Sequence, residues 1–173
     1  MNLKYVRNFC SCILRSWGTK YRLNIAHSLW ISSMFAVLAG LEHNRVGLFL
    51  VPPFGATLTI LLVIPEAAVA QPYAVVVGSV VGAAVGTLLS LFAHGSLMAI
   101  VAAVLTFGII NLIRAYHPPG VALAMYPLLL QPGHWFPLAV VLPFTVTAVA
   151  SAALLSRLVR KWPAYPKPLT DGQ

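Results

Sequence analysis

Between Leu23 and Ser156 the only charged side chains are Glu42, Arg45, Glu66 and Arg114. So long a stretch with so few charges cannot clothe a water-facing surface. Soluble domains carry about 25% charged residues, whereas this chain has 8% charged and 60% hydrophobic residues. Lipid is its natural solvent. In lipid the backbone must satisfy its own polar groups, and for long apolar windows that means helices. The length of 173 residues suits a single membrane domain.

The basic residues bracket this stretch. Lys4, Arg7, Arg15, Lys20 and Arg22 precede it, and Arg157, Arg160, Lys161 and Lys167 follow it. Basic flanks stay on the cytoplasmic side. Both termini are therefore expected in the cytoplasm, the number of passes is even, and a bacterial inner membrane is the expected location. The net charge of +8 reads as orientation and not as a nucleic-acid surface, because it bounds apolar helices instead of interleaving with polar residues. Residues 1–23 set Leu3, Val6, Phe9, Ile13 and Trp17 at helical spacing among the cations, which suits a basic tail lying in the headgroup plane. Residues 161–173 form a second cytoplasmic tail. Cys10 and Cys12 are too close in sequence for an easy bridge and are expected as free thiols.

A spanning helix needs roughly 20 apolar residues. Windows at residues 24–41, 72–92, 96–116 and 136–158 qualify. Two further apolar segments, 48–64 and 117–130, are interrupted by Pro52-Pro53 and Pro118-Pro119, each followed closely by a glycine, Gly55 and Gly120. Proline ends a preceding helix and is welcome at the start of a new one. Each pair thus opens a short helix, with Pro65 and Pro132 marking the exits.

The proline pairs, Ala56 and Ala122, and Leu62 and Leu128 all align at an offset of 66 (118 minus 52). The order span, double-proline helix, span therefore recurs. Repeat one covers about 24–92 and repeat two about 96–160, within one membrane domain at 24–160. The expected architecture is an all-α integral membrane protein of four full transmembrane helices plus two short broken or re-entrant helices in two structural repeats. Six passes, two of them broken, is the other scheme compatible with same-side tails. Matching interruptions in an internal repeat point to a transporter binding site. Gly78, Gly82 and Gly86 share one helix face and allow close backbone approach, to the same chain or to another subunit.

The run Tyr116-His117-Pro118-Pro119-Gly120 resembles the signature of the HPP family of integral membrane proteins. Pro53-Phe54-Gly55-Ala56-Thr57, followed by Pro65 and Ala70-Gln71-Pro72, is similar to that family as well. The resemblance extends over about residues 24–160. It implies a compact helical transporter, and plant and cyanobacterial relatives are associated with nitrite movement. Gly120-Val121-Ala122 departs from the family's more usual Ala-Gly-Ala-like run, so the contacts at that turn are the least transferable part.

The chemistry of the double-proline starts suits an anion. A helix start offers unpaired N–H groups and a partial positive charge. Pro53, Phe54, Gly55, Ala56 and Thr57 on one side, and His117, Pro118, Pro119, Gly120, Val121 and Ala122 on the other, are the expected substrate-binding residues. The amides are the principal donors, and the Thr57 hydroxyl adds one. His117 is placed to donate to the anion or to carry a proton with it. Asn111 and Arg114, one turn earlier, are expected at a pore mouth. The expected substrate is a small inorganic anion, nitrite by resemblance. No catalytic group, metal-ligand spacing or cofactor motif is present, so an enzyme is not expected. The expected partners are the anion, the bilayer and further copies of the chain in a homo-oligomer, with no nucleic acid. The alternative function is a membrane scaffold or subunit acting through its glycine face.

Overall fold

The computed structural model describes residues 24–41 and 51–167, and among them every regular element is helical. The amphipathic reading of residues 1–23, both cysteines and Arg45 lie outside the described residues. The elements are α1 (Ile25–Leu41), α2 (Pro52–Val63), a 3₁₀ turn (Ala68–Ala70), α3 (Pro72–Leu89), α4 (Ser96–Leu112), α5 (Pro118–Leu130), a π-helical turn (Pro137–Val141) and α6 (Leu142–Leu158).

Proline sets where several of them begin. Pro52, Pro72 and Pro118 each occupy the first helical position, where a missing N–H costs nothing. The residue before each is extended: Val51 at φ −78°, ψ 121°, Gln71 at −68°, 151°, and His117 at −134°, 108°. A following proline excludes the helical region there. Pro137 and Pro143 fall within the first turns of the last helical run, where the π turn loosens the spacing and α6 continues without a break. At the other end of a helix, α4 closes with Arg114 in the left-handed region at φ 56°. Arg114 N–H donates to Asn111 O at 3.1 Å and Ala115 N–H to Ile110 O at 2.8 Å, the bond pair of a Schellman cap.

The helices alternate in direction between two ends of the bundle. On α1, buried His27, Trp30, Met34 and Leu38 form one stripe. His27 meets Trp162 edge-on at 4.8 Å, and Trp30 Nε1 donates to Ser151 Oγ at 2.9 Å, so α1 lies antiparallel to α6. Tyr165, beyond α6, donates through its hydroxyl to Ala70 O at 2.9 Å. The tail after α6, the start of α1 and the 3₁₀ turn thus share the tail end. Gly95 N–H bonds Leu128 O at 3.2 Å, which puts the α3–α4 loop and the end of α5 together at the far end.

α3 and α5 run side by side in the same direction. A Cβ at Gly78 would strike Ala115 O, one at Gly82 would strike Gly120 O, and one at Gly86 would strike Ala124 O. The partner of the glycine face is therefore α5 and its lead-in, within the same chain. α2 meets α6 through a ring stack: Phe54 lies on Phe144 at 3.9 Å and 23°. α5 begins beside the 3₁₀ turn and ends beside Gly95. A re-entrant helix would return the chain to the end it came from, and α5 delivers it to the opposite end.

Two runs, Pro72–Leu89 and Pro137–Leu158, are long and apolar enough to cross a membrane by length and composition. α1 and α4, at 17 residues each, extend about 26 Å at 1.5 Å per residue, just short of the roughly 30 Å of hydrocarbon. α4 hides small residues, Ala99, Ala102 and Thr106, together with Ile110, and exposes Leu97, Ile100, Val104, Phe107 and Leu112. Large apolar side chains outside and small ones inside suit a lipid-facing helix.

Candidate functional site

The two proline-interrupted helices meet through side chains. His117, the residue before Pro118, is fully buried. Its Nδ1 lies 2.7 Å from Val69 O in the 3₁₀ turn. A carbonyl only accepts, so Nδ1 carries the proton of that bond. Its Nε2 lies 3.0 Å from Thr57 Oγ1 on α2. Thr57 is itself fully buried, and its hydroxyl also reaches Pro53 O at 3.1 Å.

Counting hydrogens gives this chain of groups two states. With a neutral imidazole, Nε2 accepts, and the single Thr57 hydroxyl proton is shared between Nε2 and Pro53 O. With a doubly protonated ring, Nε2–H donates to Thr57 Oγ1, and the Thr57 hydroxyl is free to donate to Pro53 O. The second state satisfies every hydrogen bond but buries a charge with no acidic side chain among its partners. A buried imidazole with two partners on two other segments also fixes the α5 start relative to α2 and the 3₁₀ turn.

Part of the amide set expected to hold an anion is engaged by the backbone. The first two helical positions of each short helix are prolines and carry no N–H. The third, Phe54 or Gly120, donates to its own cap carbonyl: Phe54 N–H to Val51 O at 2.9 Å and Gly120 N–H to His117 O at 2.8 Å. Ala56, Thr57 and Ala122 lie further in, where N–H groups bond four residues back. The double proline deletes the donors that make an ordinary helix start an anion site. Side-chain groups supply the polar contacts at this junction.

The other expected residues divide into two groups. Phe54, Pro119 and Gly120 are buried, while Pro53, Gly55 and Val121 are half-buried. Gly120 abuts α3, where a Cβ would strike Gly78 O and come within 3.2 Å of Ser79 N. Ala56, Pro118 and Ala122 face outward. Asn111 and Arg114 are exposed at the end of α4. The Asn111 amide bonds back to Phe107 O at 2.6 Å, so neither residue is joined to the His117 cluster.

Several participants carry no sequence signal for the site. Val69 and Ala115 act through backbone carbonyls, which any residue supplies. Gln71 bonds Pro65 O at 3.0 Å and Ala67 O at 3.1 Å, pinning the turn that presents Val69. Ser79 is fully buried beside Gly78, and its hydroxyl has no hydrogen-bond partner. A buried, unpartnered hydroxyl next to the α5 start is the kind of group that calls for an explanation.

A helical bundle with a lipid-facing outer surface and a buried polar knot at two proline breaks matches one known family by sequence. The family described as HPP, transmembrane region, matches residues 19–166. The chain belongs to the HPP family. It is accordingly an integral membrane protein, and the match spans every described helix of this HPP protein. Neither a curated protein nor a solved structure matches it.

Proposed function

We propose that this HPP protein is a transporter or channel for a small inorganic anion, nitrite being the substrate that the family resemblance points to, and not an enzyme. The observation that carries the reading is the buried Thr57–His117 contact at 3.0 Å joining the two proline-interrupted helices. Polar groups at depth in a membrane protein are expensive and mark function more often than packing. The Thr57 hydroxyl, the His117 ring and the unpartnered Ser79 hydroxyl are the side-chain donors in this reading. The positive ends of the α2 and α5 dipoles add to them. A proton taken up on His117 Nε2 frees the Thr57 hydroxyl and gives a route for proton-coupled movement.

We read the path as six passes, α1 to α6, in two halves of opposite orientation. The parallel pairs α3 with α5 and α2 with α6 support it, since inversion exchanges one pair for the other. Both tails lie on the cytoplasmic face, in the inner membrane of a bacterium, by the basic flanks. A bundle of this size is expected to need further copies to enclose a pathway, so a homo-oligomer belongs to the reading. The scaffold alternative loses its main surface, because Gly78, Gly82 and Gly86 are spent on α5.

The test is uptake of nitrite, nitrate, chloride and formate into proteoliposomes by wild type and His117→Ala. Selective uptake that the variant reduces is the expected result. Correctly inserted protein that moves none of the four anions sinks the proposal.

A further inference from the structure

α6 ends at Leu158, and the described chain beyond it lies across the tail end of the bundle as a strap. Val159 is extended at φ −107°, ψ 109°. Among the described residues from Arg160 onward one backbone–backbone hydrogen bond is made, Trp162 N–H to Val159 O at 2.8 Å. Two aromatic side chains hold the strap down. Trp162 is buried, edge-on to His27 at 4.8 Å and to Trp30 at 5.6 Å. Tyr165 is buried too, and its hydroxyl donates to Ala70 O at 2.9 Å. The carbonyl that Tyr165 holds is next in the chain to the one that holds His117, since Val69 O lies 2.7 Å from His117 Nδ1. One three-residue turn, Ala68–Ala70, thus carries the site contact and the strap contact on adjacent peptide units. The contacts run in order from Thr57 through His117 and the turn to the strap, and both His117 and Ala70 are fully buried.

We propose that the strap, residues 159–165, is a gate over His117. While Tyr165 holds the 3₁₀ turn, the ring is sealed from the tail end; release of Tyr165 lets the turn lift and gives solvent and anion access to the ring. The proposal rests on the transport reading and on its placement of both tails in the cytoplasm, so the gate faces the cytoplasm. A site with no exposure needs some part of its cover to move. Moving elements are drawn from the least stable parts of a structure, where backbone hydrogen bonds are few. The helices beside His117 are the opposite, because α3 and α5 meet backbone to backbone at Gly78, Gly82 and Gly86. Among the described residues one hydrogen bond fastens the strap to the turn. Arg160 and Lys161 are already exposed, so lifting the strap buries no charge. Trp162, packed edge-on against His27 and Trp30, is the fixed anchor, and residues 163–165 are the part that lifts.

The experiment is thiol labelling of Ala70→Cys by a charged, water-soluble methanethiosulfonate. It uses the full chain in detergent, with Cys10→Ser and Cys12→Ser removing the native thiols. Ala102→Cys, at a fully buried position on α4, controls for general loosening. Tyr165→Phe is expected to speed labelling of Ala70→Cys by about two- to tenfold, the population shift that one hydrogen bond is worth, and to leave Ala102→Cys unchanged. Val69→Cys, at a half-buried position that serves the cluster through its carbonyl alone, repeats the comparison should Ala70→Cys not fold. An unchanged rate at the turn, or equal acceleration at the turn and at Ala102→Cys, overturns the gate. Labelling reads access without any anion moving. A strap that opens in a protein carrying none of the four anions marks failure of the transport reading alone. Anion uptake by a protein whose turn never labels faster marks failure of the gate alone.

Discussion

His117 and Thr57, sixty positions apart in sequence, meet at 3.0 Å inside the bundle, and each is the polar group nearest a double-proline helix start. This contact joins the two halves of the chain at the point where both backbones are interrupted. The hydroxyl and the ring are separable by substitution. Thr57→Val keeps the shape and removes the hydroxyl, leaving His117 Nε2 without its partner. It is expected to lower stability by about 1–3 kcal/mol, the cost of a buried group left unsatisfied, and to depress anion flux strongly. Thr57→Ser should retain most of the flux. Flux equal in Val and Ser variants would take the hydroxyl out of the mechanism.

The glycines of α3 and α4 make a contrast. A Cβ at Gly82 collides with the backbone of Gly120, whereas one at Gly108 meets nothing within 4 Å. Gly82→Ala should therefore destabilise by about 1–3 kcal/mol or more, because backbone must move to admit it. Gly108→Ala should be neutral or stabilising by up to about 1 kcal/mol, through helix propensity. Thermal melts of the two variants in one detergent check the difference in sign.

Arg114 combines a cap position with a cation. Its left-handed backbone is unfavourable for any residue with a side chain, by roughly 1–2 kcal/mol, and a glycine there recovers part of it. Arg114→Gly is expected to raise stability by up to about 1 kcal/mol, the rest being offset by glycine's freedom when unfolded. If the charge also gathers anions at the mouth, the same variant lowers flux at low salt, and the deficit shrinks as salt screens it. Unchanged flux at every ionic strength would make the residue a cap alone.

Tyr165 fastens the segment after α6 to the 3₁₀ turn through Ala70 O, and Ser156 Oγ in turn donates to Tyr165 O at 2.7 Å. Burial pushes the phenol's pKa above its ordinary value. For a raised pKa the stabilisation is fully present below the unfolded value of about 10 and is lost as pH rises through the folded value. Wild type should therefore lose stability above about pH 10, and Tyr165→Phe should lack that part of the alkaline loss. At neutral pH the variant should be weaker by about 0.5–1.5 kcal/mol, one hydrogen bond. Melting temperature against pH for both proteins is the measurement.

Much of the helical layout was legible in the letters. The windows at 24–41 and 136–158 differ from α1 and the Pro137–Leu158 run by a residue, because apolar length and proline at a start are local signals. The window at 96–116 ran past α4, since a left-handed Arg114 is not written in hydropathy. His117 and Thr57 were both legible as polar residues beside the breaks. What they do was not: the partner of Nδ1 is the carbonyl of Val69, an atom every residue has. At the helix starts the prolines remove two donors each, and the cap carbonyls of Val51 and His117 take the amides of Phe54 and Gly120. The shortness of α5 suggested a helix that turns back. Only the pairing of Gly78, Gly82 and Gly86 with the α5 backbone gives a 13-residue helix a wall to run along.

That glycine wall also bears on how the chain is assembled during synthesis. α5 alone spans about 20 Å, too little for lipid to hold it across the bilayer. Its groove on α3 lies earlier in the chain, so it is already in place when α5 emerges from the ribosome. α2 has no such advantage: α6, on which its Phe54 stacks, is made well after it. The first half must wait for the second, and the packing of α2 is complete only when α6 has been made.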